Sequence, residues 1–190
     1  MLYMPGLVSP LYDEKISTKN GYVLIWKISS LLIPKKASAR ISFQRKIILS
    51  MLKASGYDVN RLYYKSTGQP LISSDSQKHI SVSHSQNWFV IYLSDDPVGV
   101  DIEVERPSII SGKDWFINQS ESSKYQTCQM LHLVWGAKEA YYKKNEGQIA
   151  DLKNEVSITE INKTRIKINY QNANSQLFYK VIQNVYLVWT

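Results

Sequence analysis

Two neighbouring strand patterns in the middle of the chain constrain its fold more than any other feature. Residues 80–85 (ISVSHS) and 88–94 (WFVIYLS) are rich in the β-branched and aromatic residues that are typical of strands. Only Gln86 and Asn87 separate the two runs, and a two-residue connection favours a tight turn. The sequence therefore predicts an antiparallel β-hairpin at this point.

Strand patterns also lie on both sides of this hairpin. Residues 21–29 and 98–104 each predict one strand, and residues 62–72 predict two strands joined by a turn at 67–70. After Gly147 the chain becomes strand-like again, in four segments: 155–159 (EVSIT), 165–170 (RIKINY), 177–182 (LFYKVI) and 185–189 (VYLVW). Short strands separated by turn residues predict antiparallel hairpins in both halves of the chain.

Helical patterns alternate with these strands. Residues 38–54 place apolar side chains at helical spacing, with Ser38 as the expected N-cap and Gly56 as the expected C-cap. Residues 114–145 also predict mostly helix. The fold class is therefore α+β, and the similar order of elements predicts two halves that join near residues 95–98. With 190 residues, 44% of them hydrophobic, the chain can bury a core as one domain or as two small halves.

The composition indicates the cellular compartment in which the protein is expected. Cys128 is the single cysteine, so no intrachain disulfide can form and a reducing cytoplasm fits. The sequence contains no run of about 18 uncharged apolar residues, which a membrane-spanning helix would need. Residues 1–10 (MLYMPGLVSP) lack the basic and apolar regions of a signal peptide. We therefore expect a cytoplasmic protein.

The net charge of +7 favours an anionic partner, which could be a nucleic acid, an anionic cofactor or an acidic protein. The basic residues are spread along the chain, so solubility alone explains the charge equally well. The chain has no basic tract, no Gly-rich phosphate loop and no zinc-ligand spacing. These absences from the sequence argue against nucleic-acid binding.

Two acidic residues alternate with apolar ones in residues 98–104 (VGVDIEV). Successive side chains of a strand point to opposite faces, so Asp101 and Glu103 share one face while Ile102 points away into a core. Two carboxylates this close repel each other unless a cation neutralises them, and oxygen ligands favour Mg²⁺ or Mn²⁺. The alternative is an ordinary solvated strand face.

A third carboxylate lies on the helix predicted downstream, in residues 135–143 (WGAKEAYYK). Trp135, Glu139 and Lys143 share one helical face because they are four residues apart. Glu139 could complete a metal site with the two strand acids, and Mg²⁺ usually takes substrate phosphates as further ligands. The alternative is a surface Glu–Lys pair, and a lone His84 could equally be structural.

The combination of these motifs is more specific than any one of them. Residues 83–85 (SHS), 98–103 (VGVDIE) and 135–143 (WGAKEAYYK) occur in an order and at a spacing that resemble the 4′-phosphopantetheinyl transferase superfamily. The turn at 67–70 (TGQP) also falls where the longer members have theirs. The resemblance covers residues 20–150.

The length points to one class within this superfamily. A chain of 190 residues with motifs in both halves resembles the longer class, in which one monomeric chain holds two similar α/β-hairpin halves related by a pseudo-twofold axis. The resemblance implies an N-terminal half, residues 1–97, that contacts the phosphates and adenine of coenzyme A. It implies a C-terminal half, residues 98–190, that carries the metal-binding acids and the catalytic helix.

The resemblance also implies a reaction. Members of the family transfer the phosphopantetheine arm of coenzyme A to a serine of a carrier protein, as holo-acyl-carrier-protein synthases do, and release adenosine 3′,5′-bisphosphate. Asp101, Glu103 and Glu139 would bind Mg²⁺, or Mn²⁺ in its place, against the diphosphate. Asp101, Glu139 and Lys143 would be catalytic, with Glu139 helping to remove the serine proton and Lys143 neutralising or protonating the leaving phosphate.

Further residues would bind coenzyme A by the same resemblance. Ser83 and His84 match coenzyme A contacts, with His84 near a phosphate. Lys138 and Lys143 lie in the helix motif, where Lys138 is expected to meet phosphate or solvent and Trp135 to pack. Basic residues around the 3′-phosphate and adenine would be Lys35, Lys36 and Arg45.

Two positions depart from the family pattern. Gln69 and Gln148 stand where relatives often have lysine, and both changes remove positive charge. The affinity for coenzyme A is therefore open, whereas the three acids and Lys143 are all present.

The partner expected from the charge is an acidic acyl or peptidyl carrier protein. Trp115, Phe116 and Met130 could form its docking surface, or they could belong to the core. An alternative function remains, a non-catalytic relative that only binds coenzyme A or a carrier protein. Nucleotide binding without Mg²⁺-dependent transfer would identify such a relative.

Overall fold

The computed structural model describes residues 9–57, 62–72 and 78–190. Residues 1–8, which carry most of the segment used to argue against a signal peptide, lie outside the described residues. No helix in the described ranges combines the length and the apolar character that crossing a membrane requires. The chain divides into two compact units, Met1–Asp96 and Pro97–Thr190.

The first unit contains a four-stranded antiparallel sheet with the strand order β1-β2-β6-β5. A short second hairpin, β3-β4, follows the helix. The elements of this unit are β1 (Tyr12–Thr18), β2 (Gly21–Lys27), α1 (Ala37–Ala54), β3 (Tyr63–Tyr64), β4 (Pro70–Leu71), β5 (His79–Ser85) and β6 (Trp88–Ser94). The predicted hairpin at residues 80–94 is confirmed, and Gln86 in its turn has a positive φ of 53°.

Helix α1 packs on one face of this sheet through apolar side chains. Its buried residues are Ile47, Ile48, Met51 and Leu52, and they share a core with Phe89, Ile91 and Leu93 of β6. Each such side chain contributes roughly 1.5–3 kcal/mol when it is fully buried. The helix begins at Ala37 after Lys36, whereas the sequence predicted Ser38 as the N-cap. Gly56 follows the helix with a φ of +90°, as expected of a C-terminal glycine.

The second unit contains a five-stranded antiparallel sheet with the order β7-β11-β10-β9-β8. The last four strands form consecutive hairpins, and the final strand pairs with β7, the first strand of the unit. Its elements are β7 (Val100–Val104), α2 (Cys128–Lys144), α3 (Leu152–Glu155), β8 (Val156–Ile161), β9 (Arg165–Tyr170), β10 (Ala173–Ile182) and β11 (Val185–Trp189).

The helix predicted over residues 114–145 is too long, because α2 begins only at Cys128. Upstream, Asn118 and Glu121 begin a separate short turn instead, through the reciprocal bonds of a capping box. Asn118 Oδ1 accepts the N–H of Glu121, and Glu121 Oε2 accepts the N–H of Asn118. Thr127 then caps α2 by accepting the N–H of Met130.

The α+β class is confirmed, since the main antiparallel sheet of each unit has a helix packed on it. Strand β1 was missed by the sequence reasoning. Its seven residues include two acids and a lysine, and their exposure alternates along a strand at the edge of the sheet. A polar edge strand carries little of the apolar signal on which strand prediction depends.

Candidate active site

Two glycines let α2 lie unusually close to strands β7 and β11. A Cβ atom built on Gly99, just before β7, would lie 1.7 Å from the carbonyl oxygen of Ala140. A Cβ atom on Gly136 would lie 3.0 Å from a methyl carbon of Val188 on β11. One glycine belongs to each sequence motif, so both motifs contribute to the close contact between the helix and the sheet.

This close contact occurs on the face of β7 that carries the two acids. Asp101 pairs across the sheet with Val188, and Glu103 pairs with Tyr186. Both β11 partners belong to the core cluster that includes the buried side chains of α2. Ile102 points to the opposite face and is also buried. The alternation predicted for residues 98–104 is therefore present in the structure.

The first acid is held by the helical lysine. Lys143 Nζ lies 2.8 Å from Asp101 Oδ1 and donates a second hydrogen bond, of 3.2 Å, to the carbonyl oxygen of Val100. The side chain of Asp101 is 6% exposed and that of Lys143 is 27% exposed. A charged hydrogen bond shielded in this way is stronger than one in open solvent.

The second acid is held by two donors that the sequence reasoning did not assign to it. Trp135 Nε1 donates to Glu103 Oε1 at 3.1 Å, and Arg106 Nη1 donates to Glu103 Oε2 at 2.9 Å. Trp135 was expected only to pack. Arg106 is three residues beyond Glu103 and carries no signal of its own in the sequence, because arginine after a strand is common at protein surfaces.

The third acid, Glu139, lies half-buried on α2 near the other two. Burial raises the pKa of its carboxyl group; Lys143 opposes this rise, and the negative charges of Asp101 and Glu103 add to it. Within the described part of the chain we find no hydrogen bond and no ion pair that engages the Glu139 carboxylate. The site therefore combines three neighbouring carboxylates with a lysine. The surroundings of one of them, Glu139, disfavour its ionised form.

The donor set is that of a site for a hard divalent cation. Asp101, Glu103 and Glu139 offer only carboxylate oxygens, which Mg²⁺ and Mn²⁺ prefer. Among the described residues no three His, Cys, Asp or Glu side chains are arranged to hold a metal ion as they stand. The chemistry fits the cation, whereas Lys143 and Arg106 occupy oxygens that it would use.

Lys138 does not join this cluster. Its ammonium group is fully buried and donates to Glu121 Oε2 at 2.9 Å and to the carbonyl oxygens of Phe116 and Lys153 at 2.8 and 3.0 Å. Three acceptors satisfy the three N–H donors of a lysine. This differs from the expectation that Lys138 meets phosphate or solvent, so we leave it out of the proposed site.

Glu121, the partner of Lys138, is a residue that sequence reasoning missed. It is fully buried, and its other oxygen accepts the N–H of Ile158 at 2.6 Å. Burial lowers the pKa of Lys138, and the hydrogen bond to Glu121 opposes that change. Glu121 thereby joins the loop before α2 to both α2 and β8, and the ion pair stabilises the second unit.

A buried histidine supports the segment that carries Arg106. His132 Nδ1 lies 2.8 Å from the carbonyl oxygen of Cys128, and its Nε2 accepts the N–H of Arg106 at 3.2 Å. This arrangement requires the neutral tautomer with the proton on Nδ1. Burial lowers the pKa of His132, in agreement with a neutral ring. The ring stacks on Tyr186 with centroids 4.9 Å apart.

The coenzyme A residues predicted in the N-terminal half belong to the first unit. Ser83 is half-buried and His84 is exposed on β5, with its ring 5.8 Å from that of Phe89. Lys35 and Lys36 are exposed just before α1.

The segment before α1 is held by an arginine that was not predicted. Arg40 donates to the carbonyl oxygens of Pro34 and Lys35 at 3.3 and 3.2 Å. Arg45 is exposed on α1, and its guanidinium lies 5.5 Å from the ring centre of Tyr64. The basic residues of this segment are therefore displayed at the surface on an ordered turn and helix.

The three apolar docking candidates separate in the structure. Trp115 is 86% exposed, whereas Phe116 is buried in the core of the second unit. Met130 is half-buried and packs against the same core. Of the three, Trp115 offers the most surface for contact with a partner.

Comparison with known proteins identifies distant relatives, although no family model matches the chain. The chain is 27% identical over 105 residues to 4′-phosphopantetheinyl transferase ffp of Bacillus subtilis, which covers 52% of this chain and 46% of the relative. It is 31% identical over 106 residues to 4′-phosphopantetheinyl transferase gsp of Aneurinibacillus migulanus, covering 52% and 43%. It is 30% identical over 83 residues to 4′-phosphopantetheinyl transferase Sfp of Bacillus subtilis, covering 40% and 37%.

These matches give the relationship and its extent. The chain is a distant relative of Sfp-type 4′-phosphopantetheinyl transferases over about half of its length. It spans less than half the length of the curated relatives that it matches. The predicted resemblance to 4′-phosphopantetheinyl transferases is therefore confirmed as a distant relationship over about half of the chain.

Proposed function

We propose that this chain transfers the 4′-phosphopantetheine arm of coenzyme A to a serine of an acyl or peptidyl carrier protein and releases adenosine 3′,5′-bisphosphate. The observation that carries the proposal is the cluster formed by β7 and α2. Asp101, Glu103, Glu139 and Lys143 come from two separate motifs and meet on one face of the sheet. The similarity to Sfp-type transferases supports the same reaction.

The three carboxylates would bind Mg²⁺, with Mn²⁺ as a possible substitute. When bound, the cation would neutralise part of the negative charge of the coenzyme A diphosphate. Asp101 and Glu103 would approach it from β7 and Glu139 from α2. Burial and, to a lesser extent, the charges of Asp101 and Glu103 raise the pKa of Glu139, and a nearby cation would favour its charged form, which supports this assignment.

The reaction requires the serine oxygen to attack the phosphorus atom that carries the pantetheine arm. A new P–O bond forms, and the bond from phosphorus to the oxygen of adenosine 3′,5′-bisphosphate breaks. Glu139 helps to remove the serine proton, directly or through a water. Lys143 neutralises the negative charge that develops on the leaving phosphate.

The first unit would bind the rest of coenzyme A. Ser83 and His84 would contact the phosphates, and Lys35, Lys36 and Arg45 would surround the 3′-phosphate. Their exposure on an ordered turn and helix supports this role, since phosphate is bound by accessible cations. The division into halves at residues 97 and 98, the pseudo-twofold relation between them and the monomeric state all stay predictions.

The partner would be an acidic carrier protein. A net charge of +7 would steer such a protein towards this chain. The exposed Trp115 is the side chain best suited to anchor it, because buried aromatic anchors dominate many interfaces. Trp135, which bonds Glu103, packs against Phe116, the neighbour of Trp115 in sequence.

The test is intact-mass spectrometry of apo carrier proteins from fatty-acid, polyketide and peptide synthesis. Each is incubated with the chain, coenzyme A and Mg²⁺, and a gain of one phosphopantetheine arm is the expected result. The gain should disappear with EDTA and in Asp101→Asn, and it should persist in Asp151→Asn, which alters an exposed helix cap in the same unit.

The non-catalytic alternative has a distinct outcome in the same experiment. Binding of coenzyme A without any mass gain on all three classes of carrier would contradict the transferase proposal. The chain would then be a binding relative, in which Lys143 and Arg106 permanently occupy the oxygens of Asp101 and Glu103.

A further inference from the structure

The two donors on Glu103 differ in how freely they can move. The indole of Trp135 is fixed on α2 and packs against the ring of Phe116, with centroids 5.3 Å apart. The side chain of Arg106 is 47% exposed, whereas that of Glu103 is 14% exposed. Of the two hydrogen bonds, only the one from Arg106 can be released without moving a packed side chain.

The backbone of Arg106 is anchored in the core, whereas its side chain reaches Glu103 from a half-exposed position. Its N–H donates to His132 Nε2, and His132 in turn bonds the carbonyl oxygen of Cys128 through Nδ1. His132 is fully buried and stacked on Tyr186, so this support belongs to the core. The long side chain of Arg106 can therefore leave Glu103 without any change in the path of the main chain.

We propose that Arg106 competes with a divalent cation for Glu103, while Trp135 keeps the carboxylate oriented in both situations. The inference rests on the metal site of the proposed function and adds two positioning residues to it. Arg106 must release Oε2 of Glu103 before a cation can use that oxygen. Trp135 holds Oε1 and limits the rotation of the carboxylate.

Electrostatics give the two residues opposite effects on cation binding. Removing Arg106 frees one oxygen and leaves the three carboxylates with one positive neighbour fewer, so the cation should bind more tightly. Removing the indole N–H of Trp135 takes away the bond that orients Oε1 of Glu103, so the cation should bind less tightly. A role of either residue in packing alone would not produce effects of opposite sign.

The experiment measures Mn²⁺ affinity by electron paramagnetic resonance in the full chain and its variants, without coenzyme A. We expect Arg106→Ala and Arg106→Gln to tighten binding about two- to fivefold, the range of an exposed ion pair. We expect Trp135→Phe, which keeps an aromatic ring, to weaken it roughly tenfold, as a hydrogen bond to a charged group would. Thermal melting of each variant verifies that it is folded.

The control variant is Arg165→Ala, which removes the same charge from the same unit. Arg165 lies on β9, with its guanidinium 5.7 Å from the ring centre of Phe178, and β9 is separated from β7 by two strands of the sheet. Its Mn²⁺ affinity should equal that of the unaltered chain. An equal gain in Arg165→Ala and Arg106→Ala would overturn the proposal, because net charge alone would then explain both.

Other results separate this proposal from the proposed function. Saturable Mn²⁺ binding that Arg106→Ala leaves unchanged or weakens would overturn the competition and leave the metal site intact. A shift of the same sign in Arg106→Ala and Trp135→Phe would overturn the division of roles. No saturable binding by the unaltered chain would overturn both the metal site and the competition.

Discussion

Helices α1 and α2 each pack on an antiparallel sheet, but they contact it in different ways. Helix α1 buries only apolar side chains, and its sequence contains no acidic residue. Helix α2 buries Lys138 and His132 among its apolar residues and lies so close to the sheet that Gly99 has no room for a side chain and Gly136 has little. It also places Glu139 and Lys143 at the border of that contact.

The difference shows what a close contact between helix and sheet can provide. Apolar side chains between α1 and its sheet supply stability and leave the cations of α1 in solvent. On α2, charged groups lie in partly buried positions, where electrostatic interactions are stronger than in water. The unit that carries this arrangement should therefore be the more sensitive to loss of a single charge.

The largest effect is expected from the buried ion pair. Lys138→Met would leave the Glu121 carboxylate buried without its partner, which costs about 3–5 kcal/mol of the free energy of unfolding. The matched change on α1 is Lys46→Met, at an exposed position, where we expect a change within about 0.5 kcal/mol. Urea denaturation measures both.

A double variant sharpens this prediction. Lys138→Met with Glu121→Gln removes both charges and should recover part of the lost stability. If Lys138→Met alone unfolded at the same urea concentration as the unaltered chain, the ion pair would not support the contact of α2 with its surroundings.

The close contact itself gives the next prediction. Gly99→Ala should destabilise the second unit by about 1–3 kcal/mol or more, because its methyl group would overlap the carbonyl oxygen of Ala140. Gly112→Ala is the control, since a Cβ atom there meets nothing nearer than 3.7 Å. Equal stability of the two variants would show that α2 can move away from β7 at little cost.

A smaller, pH-dependent effect is expected at Glu139. Its pKa is higher in the folded chain than in the unfolded chain. The free energy of unfolding therefore falls as pH rises from the unfolded pKa to the folded pKa, and it stays lower above that interval. Glu139→Gln removes that loss. The variant should be more stable than the unaltered chain at neutral pH and equal to it below about pH 4.

Glu160→Gln provides the opposite case for this pH profile. The hydrogen bond from Lys167 lowers the pKa of Glu160, so replacing this carboxylate should give no gain in stability at neutral pH. Thermal melting over a pH series measures both variants. A pH profile for Glu139→Gln that runs parallel to that of the unaltered chain would show that the charge of Glu139 is not held at a cost.

The smallest effect on stability is expected from α1. Arg45→Ala should change the free energy of unfolding by no more than about 0.5 kcal/mol, because the residue is exposed. It should nevertheless weaken the binding of adenosine 3′,5′-bisphosphate by about threefold to tenfold, if it contacts the 3′-phosphate. Calorimetry with this nucleotide measures the change, and Lys53→Ala at the far end of α1 is the control.

The sequence predicted those strands and helices that have a clear pattern of apolar residues within a short segment. The hairpin at residues 80–94 follows from strand-forming residues around a two-residue connection and appears as expected. The two acids of β7 lie on one face as their alternation predicted, although four of the five residues of this strand are buried. The start of α2 was predicted too early, because Asn118 and Glu121 form a separate turn and Thr127 caps the helix, and hydropathy does not register these side-chain bonds. Strand β1 was missed because its side chains are largely polar.

The sequence predicted only those residues of the site that belong to the two motifs. Asp101, Glu103, Glu139 and Lys143 were named from their spacing, and the structure brings them together. Other contacts depend on side chains that meet across long separations in sequence. The bond of Trp135 to Glu103 and the ion pair of Lys138 with Glu121 are of this kind, and spacing alone gives no sign of them.

The most direct test of the central claim compares two glutamate variants in the transfer reaction. Glu139→Gln and Glu160→Gln make the same chemical change in the same unit, and only Glu139 lies in the acid cluster. Intact-mass measurements over time on an apo carrier protein that the unaltered chain modifies give the rate of each. We expect Glu139→Gln to be slower by about 100-fold or more, with Glu160→Gln unchanged. Equal rates for the two variants would contradict the claim that β7 and α2 form the active site.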